Sequence, residues 1–468
     1  MNAITNIINY IVLIIIFLLL VISPLPYGSV EEWAKLLIQL EAFFLLFLLV
    51  IYLFFVDKGL KISRSYNKLF ALLFFLLIIL QIIPIPGTIL KLLSYESYDI
   101  WSTNDKILTQ VGLPQNNRYY TISLYPYGTF TGLLQLLAYF SIGLTVSFFC
   151  NNRNRVTYLI YLIFLVAFLE ATIGFYQSIF LGNLSTGTYI NKNHFAGFIE
   201  LTSFLLIGYS LSLRNSESKN EDYRSYFKKL LSSDQIYKQL TVIITISYIT
   251  IAIFLSQSRM AIFSFMLTAV LMFLLVRRFS KDSQIERILI GFGIFMTLAY
   301  TIFISFYPLF KRFIETIGEA PGRTHIWSDS IRIFLDFPIF GTGLDTFKYI
   351  YAKYKTIEIA SSINFAHNDY LQLLVETGII GFLLVLILLY KFIKYSIEKI
   401  GLYSKKGDFC AADGRLGGLC GIISILIHSL VDFNLHIPAN AVYFSFLFGI
   451  IFSDFDSGIN DNEESVGQ

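Results

Sequence analysis

The feature that most constrains this chain is a series of long apolar runs that recur along most of its 468 residues. A run of roughly 20 mostly apolar residues matches the hydrocarbon thickness of a bilayer, whereas an amphipathic surface helix carries a polar face. Charged residues make up only 14% of the chain, against about a quarter in soluble domains. The sequence therefore predicts an all-α polytopic membrane protein.

We predict about twelve transmembrane helices, whose bounds follow the apolar runs. They lie at 7–22, 34–56, 68–83, 129–149, 156–180, 194–213, 239–255, 260–276, 288–306, 369–390, 416–432 and 438–453. A single polytopic domain, 1–453, would contain them all, with a disordered cytoplasmic tail at 454–468. We expect the first run to remain a span, because no basic residue precedes it and no small-residue cleavage site follows it.

The basic residues are distributed unevenly between the connections. Most Lys and Arg residues fall in one alternating set of connections, which includes 214–238 and 391–415. The positive-inside rule places this set, and with it both termini, in the cytoplasm. The two long connections, 84–128 and 307–368, then lie outside the cytoplasm. The second separates spans nine and ten.

Much of the polar chemistry of the chain lies between residues 322 and 381. This segment reads G-R-T-H-I-W-S-D-S, then D-F-P-I-F-G-T-G-L-D-T-F, then A-H-N-D-Y-L-Q-L-L-V-E-T-G-I-I-G. A membrane protein that keeps Arg323, His325, Asp329, His367 and Asp369 in one short region is predicted to hold a polar ligand there. Apolar spacing over 324–334 also predicts a short helix in this connection.

His367 is the strongest candidate for a catalytic residue. It lies at the mouth of span ten, and an imidazole with a pKa near 6.5 can accept a proton from an attacking hydroxyl. The alternative is a polar cap, because Asn368 or Asp369 beside it is a suitable N-cap for span ten. Both interpretations can hold, with one residue capping the helix and another reacting.

Two arginines are candidates for binding an anionic group. Arg259 follows the polar turn S-Q-S and enters span eight, where a guanidinium must face water, protein or a ligand. A guanidinium can grip phosphate oxygens through two parallel hydrogen bonds. The alternatives are snorkelling of Arg259 to the lipid headgroups and simple solvation of Arg323 in an exposed loop.

The remaining histidines and the membrane carboxylates are weaker candidates. All five histidines fall on the predicted outer side, where polar aromatic groups can also simply settle at the interface. They are His194, His325, His367, His428 and His436. The i, i+4 spacing of His428 and Asp432 predicts that both share one helix face, with Asp432 orienting the imidazole. We interpret Glu41, Glu170, Glu200 and Glu376 as partners in internal hydrogen bonds.

Several motifs that would indicate other chemistry do not occur in the sequence. There is no H-E-x-x-H zinc motif, no G-x-S-x-G elbow and no Walker-type loop. No outward Asp-x-Asp could hold a divalent metal on a diphosphate, so we predict metal-independent chemistry without a cofactor. The net charge of +3 does not indicate nucleic acid binding, and three cysteines provide no disulfide framework.

Four motifs together resemble the bacterial O-antigen ligase superfamily. They are S-Q-S-R at 256–259, G-R-T-H-I-W at 322–327, F-P-I-F-G-T-G at 337–343 and H-N-D-Y-L-Q-L-L-V-E-T-G-I-I-G at 367–381. The resemblance covers about 185–450. The family includes O-antigen ligases, polysaccharide polymerases and protein O-oligosaccharyltransferases. N-K-N-H-F-A-G at 191–197 and H-S-L-V-D-F-N-L-H-I-P-A-N-A at 428–441 look like a subgroup found among exopolysaccharide polymerases or ligase-like proteins.

The resemblance implies a GT-C-like membrane glycosyltransferase in the bacterial inner membrane. Such an enzyme would move a glycan from undecaprenyl diphosphate to a saccharide, lipid or protein acceptor, with its active site facing the periplasm. By resemblance, Arg259 and Arg323 hold the diphosphate, and His367 positions or deprotonates the acceptor hydroxyl in an inverting displacement. His194, His325, Asn368, His428 and Asp432 are further expected substrate-binding residues.

A transporter is the competing hypothesis from another class. A flippase for lipid-linked glycans, or another polysaccharide transporter, should place polar residues near the bilayer midplane between structural repeats. The sequence contains no recognisable repeat, and its polar residues gather toward one side. This placement favours an enzyme.

Overall fold

The computed structural model describes residues 2–56, 66–114, 118–213, 234–279, 321–356 and 362–453. Within these ranges the chain is almost entirely helical, which confirms the all-α prediction. Its helices are α1 Asn2–Ile22, α2 Glu32–Val56, α3 Tyr66–Ile82, α4 Gly87–Leu93, α5 Tyr95–Gln110, α6 Pro126–Phe149, α7 Arg153–Ile179, α8 Lys192–Ser212, α9 Asp234–Leu255, α10 Arg259–Phe279, α11 Pro321–Asp336, α12 Phe347–Tyr354, α13 Asp369–Lys405, α14 Phe409–His428 and α15 Pro438–Phe452. A single 3₁₀ turn, Asn434–His436, precedes α15.

Each predicted span that falls within the described residues coincides with one helix. In that part of the chain, 8 helices are long and apolar enough to cross a membrane, and α3, α9 and α15 are shorter apolar helices. The predicted ninth span at 288–306 and the predicted tail at 454–468 lie outside the described residues. The helices are thus those of a polytopic membrane protein.

The C-terminal ends of spans ten and eleven differ most from the predicted ends, and the helix of span eleven also begins earlier than predicted, at Phe409. The helix of span ten runs on to Lys405 and does not stop near residue 390. Span eleven ends earlier than predicted, because α14 stops at His428. The backbone then turns, and the Ser429 carbonyl accepts a hydrogen bond from the Asp369 amide at 3.0 Å. This early turn moves Asp432 out of the helix.

The centre of the bundle is formed by α8 and α14, which pack closely along their length. Glycines make this possible, since a Cβ on Gly208 would lie 2.7 Å from the Cα of Gly417. In a bilayer the hydrophobic effect does not drive helices together, and small residues let their backbones approach closely enough for van der Waals packing. The aromatic side chains of Phe195, Phe198 and Phe204 are fully buried around this contact. The central pair therefore provides a rigid base for the residues at its ends.

The two long connections fold together into one small unit at an end of the bundle. Strands β1 Ile85–Pro86 and β2 Tyr119–Tyr120 pair antiparallel and close the first connection around α4 and α5. The second connection contributes α11 and α12, so the short helix predicted at 324–334 is present. Ile100 from α5 packs against the buried core that Ile333 and Phe347 form. A shared core thus joins connections that are distant in sequence.

The loop between α11 and α12 is held in a kink of α13. Gly378 adopts φ 64° and ψ −172° inside that helix, a conformation open essentially only to glycine. The amides of Ile379 and Gly343 donate to Pro338 and Glu376 carbonyls at 2.8 and 3.0 Å. The Gln81 side chain of α3 donates to the Glu376 carbonyl at 2.9 Å. This clasp fixes the first turns of α13 and, with them, His367.

Candidate active site at the helix ends

Three of the predicted site residues, His194, Arg323 and His367, converge on a fourth, Asp432, which lies in the turn after α14. Its side chain is 1% exposed, yet four polar side chains from three other segments surround it. On Oδ1, His194 Nε2 lies at 3.6 Å and His367 Nδ1 at 3.8 Å. On Oδ2, Asn193 Nδ2 donates at 2.6 Å and an Arg323 nitrogen lies at 3.5 Å. A single carboxylate therefore connects the starts of α8, α11 and α13.

The environment of Asp432 stabilises its charged form. Burial by itself raises the pKa of this carboxyl. The opposite effect of the His194 and His367 side chains, and of the positive charge that His194 and His428 can carry, is larger. The net result is a pKa well below the usual range. The Phe433 amide adds a hydrogen bond to Oδ1 at 2.9 Å. Asp432 is thus a fixed anion that orients cationic and imidazole groups.

His367 combines partial exposure with a strained backbone. Its side chain is 29% exposed, and its φ of +51° is in the left-handed region, which costs a residue with a Cβ about 1–2 kcal/mol. Both backbone groups of the preceding residue, Ala366, are hydrogen-bonded. Its carbonyl accepts from the Trp327 indole at 3.1 Å, and its amide donates to the Gln372 side-chain oxygen at 3.1 Å. Nδ1 lies 3.8 Å from Asp432 Oδ1, beyond hydrogen-bond distance, but the negative charge of the carboxylate favours a proton on Nδ1, which leaves Nε2 as an acceptor.

His194 contacts the Phe433 ring in the same way as His367 does. The ring centroids of His194 and Phe433 lie 4.5 Å apart at 69°, and those of His367 and Phe433 lie 4.9 Å apart at 71°. Both are edge-on contacts, which aromatic rings prefer over a face-to-face sandwich. The side chain of Phe365 stacks on Phe433 at 4.3 Å. Phe433 therefore spaces two imidazoles that share one carboxylate oxygen.

The two candidate arginines are placed differently. Arg323 is 44% exposed and donates to the Val431 carbonyl at 3.0 Å, so its guanidinium is oriented while part of it stays open. Arg259 is exposed at the first position of α10 and makes no hydrogen bond or ion pair with any residue in the described part of the chain. Lys192 reaches the same turn, where it donates to the Gln257 carbonyl at 3.0 Å. Arg323 therefore places positive charge at Asp432, and Lys192 places it at the turn before Arg259.

The two residues that begin α13, Asn368 and Asp369, have different partners, and the predicted cap is Asn368. Asn368 is the N-cap, and its side chain accepts from the amides of Tyr370 and Leu371. Asp369 binds His436 Nδ1 at 2.6 Å and accepts from the Leu435 amide at 3.0 Å. Burial lowers the pKa of His436, but Asp369 and the charges of Glu376 and Asp345 reverse this, so the pKa is raised. His436 therefore lies next to the residues that begin α13.

Besides Arg259 and Asn368, two further predicted site residues do not join the Asp432 cluster directly. The prediction that Asp432 orients His428 on one helix face is wrong, because α14 ends at His428. His428 is fully buried and its Nδ1 lies 2.9 Å from Glu200, which also accepts from Ser264 and Ser424. His325 is exposed on the first turn of α11 and has no hydrogen bond or ion pair to a described residue.

The carboxylates of the helices are partners in internal hydrogen bonds, with one difference from expectation. Glu170 accepts from Thr188, Glu200 from two serines, and Glu376 from the amides of Asp345 and Phe347. Glu41 accepts no hydrogen bond from another described residue. Asp329, which the sequence suggested as a ligand-binding group, is buried and accepts from Tyr351 and Thr356.

Some members of the cluster were not singled out from the sequence. Asn193 and Phe433 are the main ones, and each adjoins a candidate histidine or aspartate in the chain. Their roles depend on a contact between segments 239 positions apart, which spacing along the chain does not encode. Among the described residues no group of three or more His, Cys, Asp or Glu side chains is arranged to hold a metal ion.

Comparison with known proteins agrees with the motifs. Residues 243–386 match the family model described as O-antigen ligase. This segment includes Arg259, Arg323, His367 and the clasp around Gly378, and the family implies a membrane glycosyltransferase of the ligase or polymerase type. No curated protein matches the chain.

Proposed function

We propose, from the membership of residues 243–386 in the O-antigen ligase superfamily, that this chain transfers a glycan from undecaprenyl diphosphate to an acceptor hydroxyl at the periplasmic side of the inner membrane. The observation that carries the proposal is the Asp432 cluster, where one buried carboxylate orients His367, His194 and Arg323. The acceptor is a saccharide, a lipid or a protein. The reaction inverts the anomeric carbon.

In the proposed step, Nε2 of His367 takes the proton from the acceptor hydroxyl. The acceptor oxygen forms a bond to the anomeric carbon of the glycan, and the bond from that carbon to the diphosphate oxygen breaks. The bonding electrons leave with undecaprenyl diphosphate, whose negative charge is stabilised by Arg259 and Arg323. The products are the glycosylated acceptor and the lipid diphosphate, with one proton left on the enzyme.

Asp432 assists this step without touching the substrate. Its Oδ1 lies 3.8 Å from His367 Nδ1, so it favours the tautomer in which Nε2 is the base and stabilises the imidazolium that forms. Similar carboxylate–imidazole pairs act this way in other enzymes. The second oxygen of Asp432 faces Arg323 at 3.5 Å, which couples the orientation of the base to that of the anion-binding group.

The transporter hypothesis fits this arrangement less well. The polar side chains of the site lie at helix ends and in the turns between helices. A transporter binds its substrate near the midplane of the bilayer, at discontinuous helices. Proteoliposomes separate the two hypotheses, because a flippase would move the lipid-linked glycan across the bilayer without forming a glycosidic bond.

Transfer by purified protein tests the proposal. Labelled undecaprenyl-diphosphate glycan is incubated with candidate acceptors, and the product is analysed for a new glycosidic bond. We expect His367→Ala to lower the rate by about 10²–10⁴-fold and Arg259→Ala by about 10²-fold. Arg277→Ala, which removes a basic residue at the other end of α10, is the matched control and should retain transfer. If no bond forms with any acceptor, or if the first two variants keep full activity, the assignment is wrong.

A further inference from the structure

A second group of polar and aromatic side chains adjoins the Asp432 cluster on the side of α13. We call it the Asp345 cluster, and it consists of Asp345, Lys348, Tyr349, Tyr125 and Tyr127. These residues come from the turn before α12, from α12 itself and from the start of α6. None of them is among the residues that the proposed transfer step uses.

The tyrosines of the Asp345 cluster form an open aromatic surface. Tyr125 and Tyr349 have ring centroids 4.3 Å apart, and Tyr125 and Tyr127 have centroids 6.0 Å apart. Tyr127 is 68% exposed and Tyr349 is 47% exposed. The ammonium of Lys348 lies 4.9 Å from the centroid of the Tyr349 ring. The surface therefore combines ring faces, phenol hydroxyls and a cation.

Asp345 is held in an unusual position beside these rings. It has φ +58°, and its amide donates to Glu376 Oε2 at 2.9 Å. Two glycines of α6 make room for it, since a Cβ on Gly132 would lie 3.2 Å from the Asp345 Cβ and one on Gly128 would lie 3.3 Å from its carbonyl oxygen. Strained positions of this kind occur often at binding sites.

The carboxylate of Asp345 has charged groups near it, but its hydrogen-bonding capacity is not filled by the protein residues described. It accepts no hydrogen bond from another residue in the described ranges. Burial raises its pKa, while the charges of Lys348, His436 and Lys35 act in the opposite direction. Lys348 in turn has a raised pKa: burial lowers it, but the charge of Asp345, the Tyr349 side chain and the charge of Glu32 together outweigh burial. An acceptor and a cationic donor are therefore available together at the aromatic surface.

The Asp345 cluster is continuous with the candidate active site. Glu376 of α13 accepts from the Asp345 amide at 2.9 Å and from the Gln372 side chain at 3.1 Å. Gln372 in turn accepts from the amide of Ala366, the residue before His367, at 3.1 Å. The charge of His436, which binds Asp369 at 2.6 Å, also acts on Asp345. The Asp345 cluster is thus connected to His367 through α13. Lys192 and the turn before Arg259 are connected to Asp432 through α8.

We propose that the Asp345 cluster binds the acceptor as a saccharide, with a sugar ring against Tyr127 and Tyr349 and its hydroxyls hydrogen-bonded to Asp345 and Lys348. Pyranose rings present an apolar C–H face and a rim of hydroxyls. The tyrosine rings of the Asp345 cluster match the apolar face, and its carboxylate and ammonium groups match the hydroxyls. Interfacial tyrosines that only anchor a helix in the headgroup region require neither charged group. The inference rests on the proposed glycosyl transfer and specifies its acceptor as a saccharide.

Direct binding tests this inference separately from catalysis. The protein in nanodiscs is titrated against cell-surface oligosaccharides of the source bacterium, labelled at the reducing end, and binding is followed by fluorescence anisotropy. We expect Tyr127→Ala and Asp345→Asn each to weaken binding about tenfold, as loss of a good aromatic contact or of a hydrogen bond to a charge does. Tyr127→Phe, which keeps the ring, should bind nearly as well as the unmodified protein.

The control is Tyr119→Ala, which removes a tyrosine of similar exposure, 57%, from β2 outside the cluster. In transfer assays, Tyr127→Ala should raise the KM for the acceptor and leave the KM for the lipid-linked donor unchanged. If Tyr127→Ala and Tyr119→Ala bind the oligosaccharides equally well, or if only the donor KM changes, the saccharide site is wrong. If oligosaccharide binding depends on Tyr127 but no glycosidic bond forms, the saccharide site stands and the proposed transfer fails.

Discussion

Asp432 has an unusual combination of partners for a carboxylate with 1% exposure. A buried charge is costly unless it is paired and hydrogen-bonded, and here an amide, a guanidinium and two imidazoles share the pairing. Removing the charge would release all of these groups at once. Its position at the centre of the cluster makes it the residue whose loss should affect the site most broadly.

We expect Asp432→Asn to lower glycosyl transfer about 10²-fold, a common effect of losing a group that orients a catalytic residue. The asparagine keeps the shape of the side chain but not the charge that fixes the His367 tautomer. Initial rates in the purified transfer assay measure the effect. The rate should fall through kcat, because Asp432 does not touch the substrate in the proposed step.

Asp336→Asn is the control for a carboxylate change in the same region. Asp336 lies at the end of α11 and is hydrogen-bonded to Tyr354, away from the Asp432 cluster. It should transfer at close to the unmodified rate. Equal activity of Asp432→Asn and Asp336→Asn would contradict the orienting role of Asp432.

His436 gives the stability of the protein a defined pH dependence. Its pKa is raised by Asp369, so protonation is favoured more in the folded than in the unfolded state. The contribution of the pair is therefore complete below the unfolded pKa of about 6.5 and is lost as the pH rises through the folded value. We expect the difference in apparent unfolding temperature between the unmodified protein and His436→Gln to shrink as pH is raised above about 6.5.

Thermal unfolding in one detergent, measured at several pH values, tests this expectation. His325→Gln removes an exposed imidazole from α11 and serves as the control variant. A difference between the unmodified protein and His436→Gln that grows with pH would mean that the Asp369–His436 pair is not stabilised by protonation.

At the scale of elements, the clasp between the 337–347 loop and the kink of α13 carries the site. A Cβ on Gly378 would overlap the Ile339 carbonyl and lie 2.7 Å from the Gly341 amide nitrogen. The backbone conformation there is also closed to other residues. We expect Gly378→Ala to destabilise the protein by at least about 3 kcal/mol through steric overlap and strain together. The yield of folded protein and its apparent unfolding temperature measure this loss.

Gly182→Ala separates the two causes. Gly182 has a similar φ of +65°, but a Cβ there would meet nothing within 4 Å. This variant should lose only about 1–2 kcal/mol, the cost of a left-handed conformation for alanine. If both variants were equally stable, the close approach of the loop to α13 would not be required for folding.

The sequence predicted the elements of the bundle better than its connections. The apolar runs located the helices because a lipid-facing span needs an uninterrupted apolar surface. The side chains of Asn368 and Asp369 predicted that one of the two caps span ten, and the structure has Asn368 there. The end of α14 was not predicted, because the turn that takes Asp432 out of the helix depends on the Asp369 amide reaching the Ser429 carbonyl. A tertiary hydrogen bond of this kind has no periodic signal.

At the scale of the whole molecule, the site is assembled from segments that the chain keeps far apart. His194 lies at the start of α8 and His367 at the start of α13, and both reach Asp432 because α8 and α14 pack against each other along their length. The sequence identified these residues by their chemistry and by their resemblance to family motifs. It did not indicate which of them share a carboxylate, since that follows from helix packing.

The fold also joins 84–128 to 307–368, which appeared as two separate connections in the sequence. Their shared core, with Ile100 against α11 and α12, means that both lie on the same side of the membrane, together with the candidate site. The distribution of Lys and Arg predicts that this side is the periplasm. The orientation of the whole molecule therefore decides whether the site can reach a periplasmic acceptor.

Single cysteines in a background without Cys150, Cys410 and Cys420 test that orientation. Tyr119→Cys places a thiol on exposed β2, and Lys406→Cys places one on the exposed residue that caps the far end of α13. A membrane-impermeant maleimide applied to spheroplasts should label Tyr119→Cys at once and Lys406→Cys only after permeabilisation, because the two thiols would face opposite compartments. The reverse pattern would put His367 and Asp432 in the cytoplasm, out of reach of a periplasmic acceptor, and would overturn the predicted topology.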